Sequence, residues 1–310
     1  MVMPCFENMN GAKAIHTVQE QLKQAGIEPE EISFEAYQLV KIALDGKDPR
    51  FAETITTKQA ERLSQLCQQR CKRIPLQYLA GRWNFLDFEL EVGEGVLIPR
   101  EDTEVLCLAA ADCARRMGAN VDSSIVDFLG GWPQAEVEHT TNESPIKILD
   151  LCAGSGCVAR GILRMVPEAS ITAVEKSPQA FAYLQKNVEG TPIIAVEQDV
   201  FGFEKTIEPA SVWVIASNPP YITEQEMQQL APELQYEPQM ALYAPNEGLA
   251  FYQYFAAAYR PLLKEGGWMA FEIGAAQGKA VSQILQQAGA SFVQVLQDGA
   301  GRDRVVRARF

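Results

Sequence analysis

The chain has 310 residues, of which 47% are apolar and 22% charged, and it carries a formal net charge of −13. That is the composition of a globular protein with a core large enough for one large or two modest domains. The acidic balance excludes a broad nucleic-acid footprint, which needs clustered Lys and Arg to displace counterions.

No apolar run reaches the roughly 18 residues of a membrane span, so no membrane contact is expected. The amino terminus lacks the basic start, apolar stretch and cleavage site of a signal peptide. Seven scattered cysteines, without paired CxxC units, read as free thiols in a reducing cytoplasm.

Residues 12–25 carry Ile15, Val18 and Leu22 at helical spacing, and Gly26 is a stop signal. Residues 31–44 repeat the pattern. Thr57, with Glu61 in the first turn, is read as the cap of a third helix running to about Arg73. Residues 1–80 are thus a small helical domain. Cys67 and Cys71 lie four apart on its third helix, but without partner ligands they read as core or surface thiols.

Ile74-Pro75 breaks the helical run. From Gln77 to Val92, with Phe88, Leu90 and Val92 alternating, a strand and hairpin are expected, with the turn at Gly93 and Gly95. This gives a β-hairpin linker over 81–98. Asp102 or Thr103 is the expected cap of a helix reaching Met117, and Arg100 and Glu104 read as a surface ion pair. Residues 118–145 form a loop-rich insertion, long for a connection inside a compact domain, with a short helix at 125–129. His139 lies there. With His16 the only other histidine, no metal site is expected.

From Lys147 strands and helices alternate, the mark of a doubly wound, Rossmann-like α/β sheet within a domain over 99–310. Strands are expected at 148–151, 171–174, 193–196, 212–216, 268–273, 292–296 and 305–310. Helices are expected at 157–165, 178–189, 249–263 and 279–288. Gly266-Gly267 is the expected turn into the fifth of these strands.

An open parallel sheet binds ligands at the carboxyl ends of its strands. Three strand ends carry suitable chemistry. Cys152-Ala153-Gly154-Ser155-Gly156 is a glycine-rich turn that lets backbone approach a ligand and opens onto a helix amino terminus. Glu175 ends the next strand, where a carboxylate accepts both hydroxyls of a ribose. Asp199 ends the third and can accept from an adenine amino group, with Val200 packing on the ring. A nicotinamide dinucleotide and S-adenosylmethionine both fit an adenosine held this way. The spacing of Asp150 to Gly154 and Gly156 favours the methyl donor, because an acid beneath the loop can meet an amino-acid ammonium, directly or through water.

The fourth strand end is Asn218-Pro219-Pro220-Tyr221. Two prolines cannot donate backbone hydrogen bonds, so the strand stops in a stiff loop. The Asn218 side-chain oxygen and the Pro219 carbonyl can each accept one hydrogen from a planar NH2 group, and the Tyr221 ring can stack on its plane. Such loops serve methyltransferases acting on amino groups of adenine, guanine or glutamine, and the tetrapeptide alone leaves these open.

Over residues 70–310 the chain resembles the bacterial HemK-like protein-(glutamine-N5) methyltransferases that modify peptide chain release factors. The resemblance rests on Arg73-Ile74-Pro75-Leu76-Gln77-Tyr78-Leu79-Ala80-Gly81, on Leu97-Ile98-Pro99-Arg100-Glu101-Asp102-Thr103-Glu104, on residues 148–156 and on residues 217–222. It rests too on Tyr236-Glu237-Pro238, on Phe271-Glu272-Ile273-Gly274 and on residues 298–304.

The resemblance implies a class I methyltransferase domain and, as substrate, the glutamine of the Gly-Gly-Gln loop of a class 1 release factor. It implies that residues 152–156, Glu175, Val200 and Asn218 hold the donor and that residues 218–221 hold the glutamine amide. Residues 99–104 are then the lining of the shared mouth, and the enzyme is expected to be a monomer. Departures are Cys152-Ala153 before the first loop glycine, Glu175 where the family often has Asp, the long insertion, and Phe34-Glu35-Ala36-Tyr37 near the place of an acidic-alanine motif.

Weighed against this are glutamine methylation of a ribosomal protein, amino-group methylation of DNA or RNA, a dehydrogenase, and a binding module without catalysis.

Overall fold

The computed structural model describes residues 6–119 and 145–310. His139 and all but the ends of the expected insertion lie outside the described residues. The chain divides into two compact units. One holds the described residues up to Trp83 together with Val92–Glu94 and Ala231–Tyr236. The other holds Asn84–Glu91, Glu237–Phe310 and the described residues between Gly95 and Leu230.

The first unit is built on α1 (Gly11–Gln24), α2 (Pro29–Ala43), α3 (Thr57–Cys71) and the short α4 (Leu76–Ala80). Asn10 caps α1 by accepting from the Lys13 amide at 2.8 Å. Thr56, not Thr57, caps α3, and Gln59 closes the capping box that Glu61 was expected to support. Val18, Leu22, Leu39, Val40 and Leu63 form its core.

Inside this unit Arg70 is only 1% exposed and meets Glu35 at 2.8 Å and Glu233 at 2.9 Å, while Arg73 meets Glu233 at 2.7 Å. Burial raises the Glu35 carboxyl, and the guanidinium opposes that shift.

Residues 77–80, at the start of the stretch expected as strand and hairpin, are helical and end at Gly81 with φ +73°. The hairpin is β1 (Arg82–Phe85) and β2 (Phe88–Glu91), turning at Leu86-Asp87 rather than at Gly93 and Gly95. Leu86 takes φ +52°, and its amide is held by the Glu104 carboxylate at 3.1 Å. That side-chain acceptor makes the turn possible without glycine.

The second unit is a seven-stranded sheet. In chain order its strands are β3 (Lys147–Leu151), β4 (Ser170–Glu175), β5 (Ile194–Glu197), β6 (Val212–Ser217), β7 (Leu263–Glu272), β8 (Phe292–Gln297) and β9 (Asp303–Arg309). The spatial order is β5-β4-β3-β6-β7-β9-β8. The first five run parallel, and β9 is antiparallel to both its neighbours. β6 is buried along its whole length, as a central parallel strand covered on both faces must be.

Gly266 and Gly267 fall within β7, not before it. Gly266 takes φ +81°, where the register against β6 jumps between Val212 and Val214, so the pair forms a bulge. The helix expected at 249–263 runs as Ala250–Tyr254, a π turn at Phe255–Tyr259 and a final 3-10 turn, packing Phe255 and Tyr259 into the core.

The sheet order reverses between β3 and β6. Leu151 and Ser217 are register partners there, so the loops starting at Cys152 and Asn218 leave the sheet side by side.

Candidate active site

A cavity of about 390 Å³ opens at that switch point. Of the residues singled out in the sequence, Cys152, Ala153, Gly154, Ser155, Glu175, Asp199, Val200, Asn218 and Pro220 line it. Asp150, Gly156, Pro219 and Tyr221 do not.

The turn that floors the cavity is set by glycine. Gly154 and Gly156 have φ +55° and +83°, and a Cβ on Gly156 would stand 2.7 Å from Leu184 Cδ1. Cys152 also takes positive φ, at +59°. The Asn187 amide donates to the Ser155 carbonyl at 2.9 Å and holds the turn from behind.

Glu175 is bound into the same turn. Its Oε2 accepts from the Gly154 amide at 2.8 Å and its Oε1 from the Ser177 amide at 2.7 Å. Burial pushes this carboxyl up and the backbone amides pull it back. Each carboxylate oxygen can accept a further hydrogen bond, and two such acceptors are what the two hydroxyls of a ribose diol need.

Asp199 is more committed than the sequence suggested: it accepts from the Phe201 amide at 3.0 Å and pairs with Lys176 at 2.6 Å. Phe201, which the sequence reading passed over, packs in tilted contact with Tyr254 at 4.5 Å and Phe251 at 5.1 Å between ring centroids, making an apolar wall beside Val200. An aromatic directly after an Asp-Val strand end was the available signal.

Asp150 lies beneath the turn and has no exposed surface. Its Oδ2 accepts from the Ala159 amide at 3.0 Å, and Oδ1 has no partner among the described residues. Burial pushes the carboxyl up to about 8. Direct contact with a ligand ammonium, one of the two routes read from the sequence, is closed because the turn covers it.

At the acceptor end, Asn218 Nδ2 donates to Thr103 Oγ1 at 3.3 Å. Thr103 stands at the start of α5 (Glu104–Arg116), but its hydroxyl does not cap the helix as expected. Arg100 does not pair with Glu104. It pairs with Glu237, whose other oxygen accepts from the Ile98 amide at 2.9 Å. The intervening Glu101–Thr103 3-10 turn separates Arg100 from Glu104, which is engaged with Leu86 instead.

Tyr221 corrects a further expectation. Its ring packs on the core and lines a neighbouring hollow, and its hydroxyl donates to Glu272 Oε1 at 3.4 Å. It is drawn away from the cavity by that buried acid, so it offers no stacking face there. Tyr243 is the tyrosine on the cavity wall. Burial pushes the Glu272 carboxyl up to about 7, against the pull of Thr103 and Arg304.

The glycine turn, the accepting carboxylate of Glu175 and the apolar Val200–Phe201 wall suit S-adenosylmethionine by their chemistry. Among the described residues no helix is long and apolar enough to cross a membrane.

Residues 13–81 match the PrmC N-terminal domain family, and residues 135–243 match the methyltransferase small domain family. The chain is 34% identical over 284 residues to a release factor glutamine methyltransferase of Thermodesulfovibrio yellowstonii, covering 90% of each. It is 30% identical over 302 residues to one of Geobacter sulfurreducens, covering 96% of this chain and 95% of that one. A crystal structure of the release-factor-specific protein-(glutamine-N5) methyltransferase of Alicyclobacillus acidocaldarius aligns with 26% identity and a TM-score of 0.40, over 71% of this chain and 98% of that one. On sequence identity and coverage, the chain belongs to the release factor glutamine methyltransferase family.

Proposed function

We propose that the protein methylates the side-chain amide nitrogen of the glutamine in the Gly-Gly-Gln motif of class 1 peptide chain release factors, using S-adenosylmethionine, in a reducing cytoplasm. The observation that carries the reading is the side-by-side exit of the Cys152 and Asn218 loops into one cavity, which sets a donor cradle against an amide-accepting loop.

S-adenosylmethionine, when bound, supplies a methyl carbon activated by its sulfonium. Glu175 holds the ribose hydroxyls, the 152–156 turn lies against the amino-acid part, and Val200 and Phe201 enclose the adenine. Asp199, already bonded to Phe201 and Lys176, sets the edge of that wall.

A glutamine amide nitrogen is a poor nucleophile because its lone pair is delocalised. Asn218 Oδ1, on the cavity wall, accepts one of its hydrogens, which localises electron density on nitrogen and aims it at the methyl carbon. Positioning and fixed dipoles carry the rate, and no strong base is needed. Tyr221 acts by anchoring the loop through Glu272, and Pro220 stiffens the wall. The six thiols of the described residues are unbridged, which supports the reducing setting.

Labelled S-adenosylmethionine is incubated with the protein and a purified release factor, in Gly-Gly-Gln and Gly-Gly-Ala versions. Label enters only the first. Label in both, or in neither, sinks the substrate assignment.

A further inference from the structure

Three stretches of the second unit converge at the Asn218 end of the cavity. Residues 97–100 and residues 238–245 both contribute wall. The Leu242 carbonyl accepts from the Tyr221 and Ile222 amides at 3.2 and 2.8 Å, which lays the second stretch along the Asn218–Tyr221 loop. Thr103, three residues past Arg100, accepts from Asn218 Nδ2 at 3.3 Å.

One side chain ties the first two stretches together. Glu237 is 4% exposed and both its oxygens are engaged: Oε2 accepts from the Ile98 amide at 2.9 Å, and Oε1 accepts from the Arg100 guanidinium. Arg100 is partly exposed on the cavity wall, and Glu237 is the only partner of its guanidinium among the described residues. A guanidinium carries five N–H donors in one rigid plane. The buried carboxylate takes one, fixes the plane and leaves donors for a ligand.

The chemistry of the substrate says what those donors meet. Two glycines ahead of the target glutamine present no side chains, so only their main-chain N–H and C=O groups can be contacted by polar groups. Two cations stand on the described wall. Lys176 pairs with Asp199 at 2.6 Å beside the Val200–Phe201 wall, which leaves Arg100 at the acceptor end. The Asn218 NH2 already donates to Thr103. A peptide carbonyl oxygen is the acceptor that suits a guanidinium N–H there.

We propose that Arg100 is a substrate-binding residue: it donates to a main-chain carbonyl of the peptide whose glutamine side chain lies on Asn218. Glu237 is its positioning residue. This rests on the reading of the substrate as a Gly-Gly-Gln loop, and it adds a grip on the peptide itself, separate from the grip on the amide.

Steady-state kinetics of the full-length protein on the Gly-Gly-Gln release factor test it. R100A raises KM by about 10–100-fold, as loss of a charge-assisted hydrogen bond does, with kcat within about threefold. The calorimetric Kd for S-adenosylmethionine stays within about threefold, which also reports that the variant is folded. R100K keeps a donor and the charge but not the planar fork, and recovers part of the loss. E237Q meets two donors with one oxygen and one NH2, so it raises KM in the same direction. The double variant R100A/E237Q is no worse than R100A alone, because Glu237 acts through Arg100.

If the parent labels the release factor and KM for R100A and R100K stays within about twofold of the parent, the proposal is overturned while the substrate reading stands. A loss confined to kcat overturns it too. Full additivity in the double variant overturns the role of Glu237. The ratio of KM values, R100A to parent, holds within about twofold between about 50 and about 500 mM salt, because the partner is neutral. A ratio that collapses with salt assigns Arg100 to a carboxylate of the release factor and overturns the carbonyl assignment. No label in the release factor with the parent protein overturns the substrate reading, and this proposal falls with it.

Discussion

Asn218 and Asp150 are both polar groups at strand ends, but their surroundings give them different work. Asn218 is part of the cavity wall, and its Nδ2 donates a neutral hydrogen bond to Thr103 Oγ1. N218A is expected to lower kcat by about 100-fold or more while leaving donor affinity within about tenfold, as read by single-turnover labelling and calorimetry. A collapse of donor affinity instead would make it a donor ligand first.

Asp150 is sealed under the turn with one oxygen on the Ala159 amide, and burial lifts its carboxyl from 3.8 to about 8. The folded protein then keeps a proton there that the unfolded chain has already released, so this group's stabilising contribution is present at low pH and is lost as pH rises through that window. D150N removes the effect. Its urea midpoint should fall less than the parent's between about pH 5 and about pH 8. Parallel midpoint curves for the two proteins would refute this.

Elements carry the site by their ends. The helix Cys157–Met165 begins at Gly156 because only a residue without Cβ fits the left-handed turn against Leu184. β6 ends at Ser217, whose hydroxyl donates to the Leu151 carbonyl at 2.6 Å and ties the two loop-bearing strands together. The segment after the proline pair is packed as tightly. Gly248 has φ +77°, and a Cβ there would stand 2.1 Å from the Tyr221 carbonyl oxygen and 2.5 Å from Gln277 Nε2.

G248A should cost about 2 kcal/mol or more, combining left-handed strain with the clash, and it should reduce turnover by displacing the Tyr221 backbone. A denaturation midpoint equal to the parent's would refute it. Most elements were legible from periodicity, as the burial of β6 and the amphipathic α1 show. The hairpin turn was misplaced because its determinant, the Glu104 carboxylate on the Leu86 amide, comes from 18 residues away. The bulge at Gly266 was misread as a turn because a glycine pair signals either.

At the scale of the whole molecule, the chain belongs to the release factor glutamine methyltransferase family over nearly all its length, and each unit has its own internal logic. In the helical unit, Arg70 is buried between Glu35 and Glu233, a residue from a distant stretch of chain. Removing the cation leaves two carboxylates with poor solvation, so R70A should destabilise by about 3–5 kcal/mol in urea unfolding, and a loss under about 1 kcal/mol would refute the pairing.

Glu35 lies in the Phe34-Glu35-Ala36-Tyr37 stretch that departs from the family pattern, and this ion pair gives it a structural use. The sequence by itself determined the alternating sheet, the glycine turn, the acid at the next strand end and the proline-stopped loop, because periodicity, missing backbone donors and positive-φ requirements are local properties of the chain. Only the tertiary structure decided that Tyr221 turns to Glu272 and away from the cavity, that Asp150 is sealed, and that Thr103 serves Asn218 instead of capping its helix. Those outcomes depend on which buried acid or hydroxyl ends up opposite, and residues more than 50 positions apart are brought into contact only by the order of strands in the sheet.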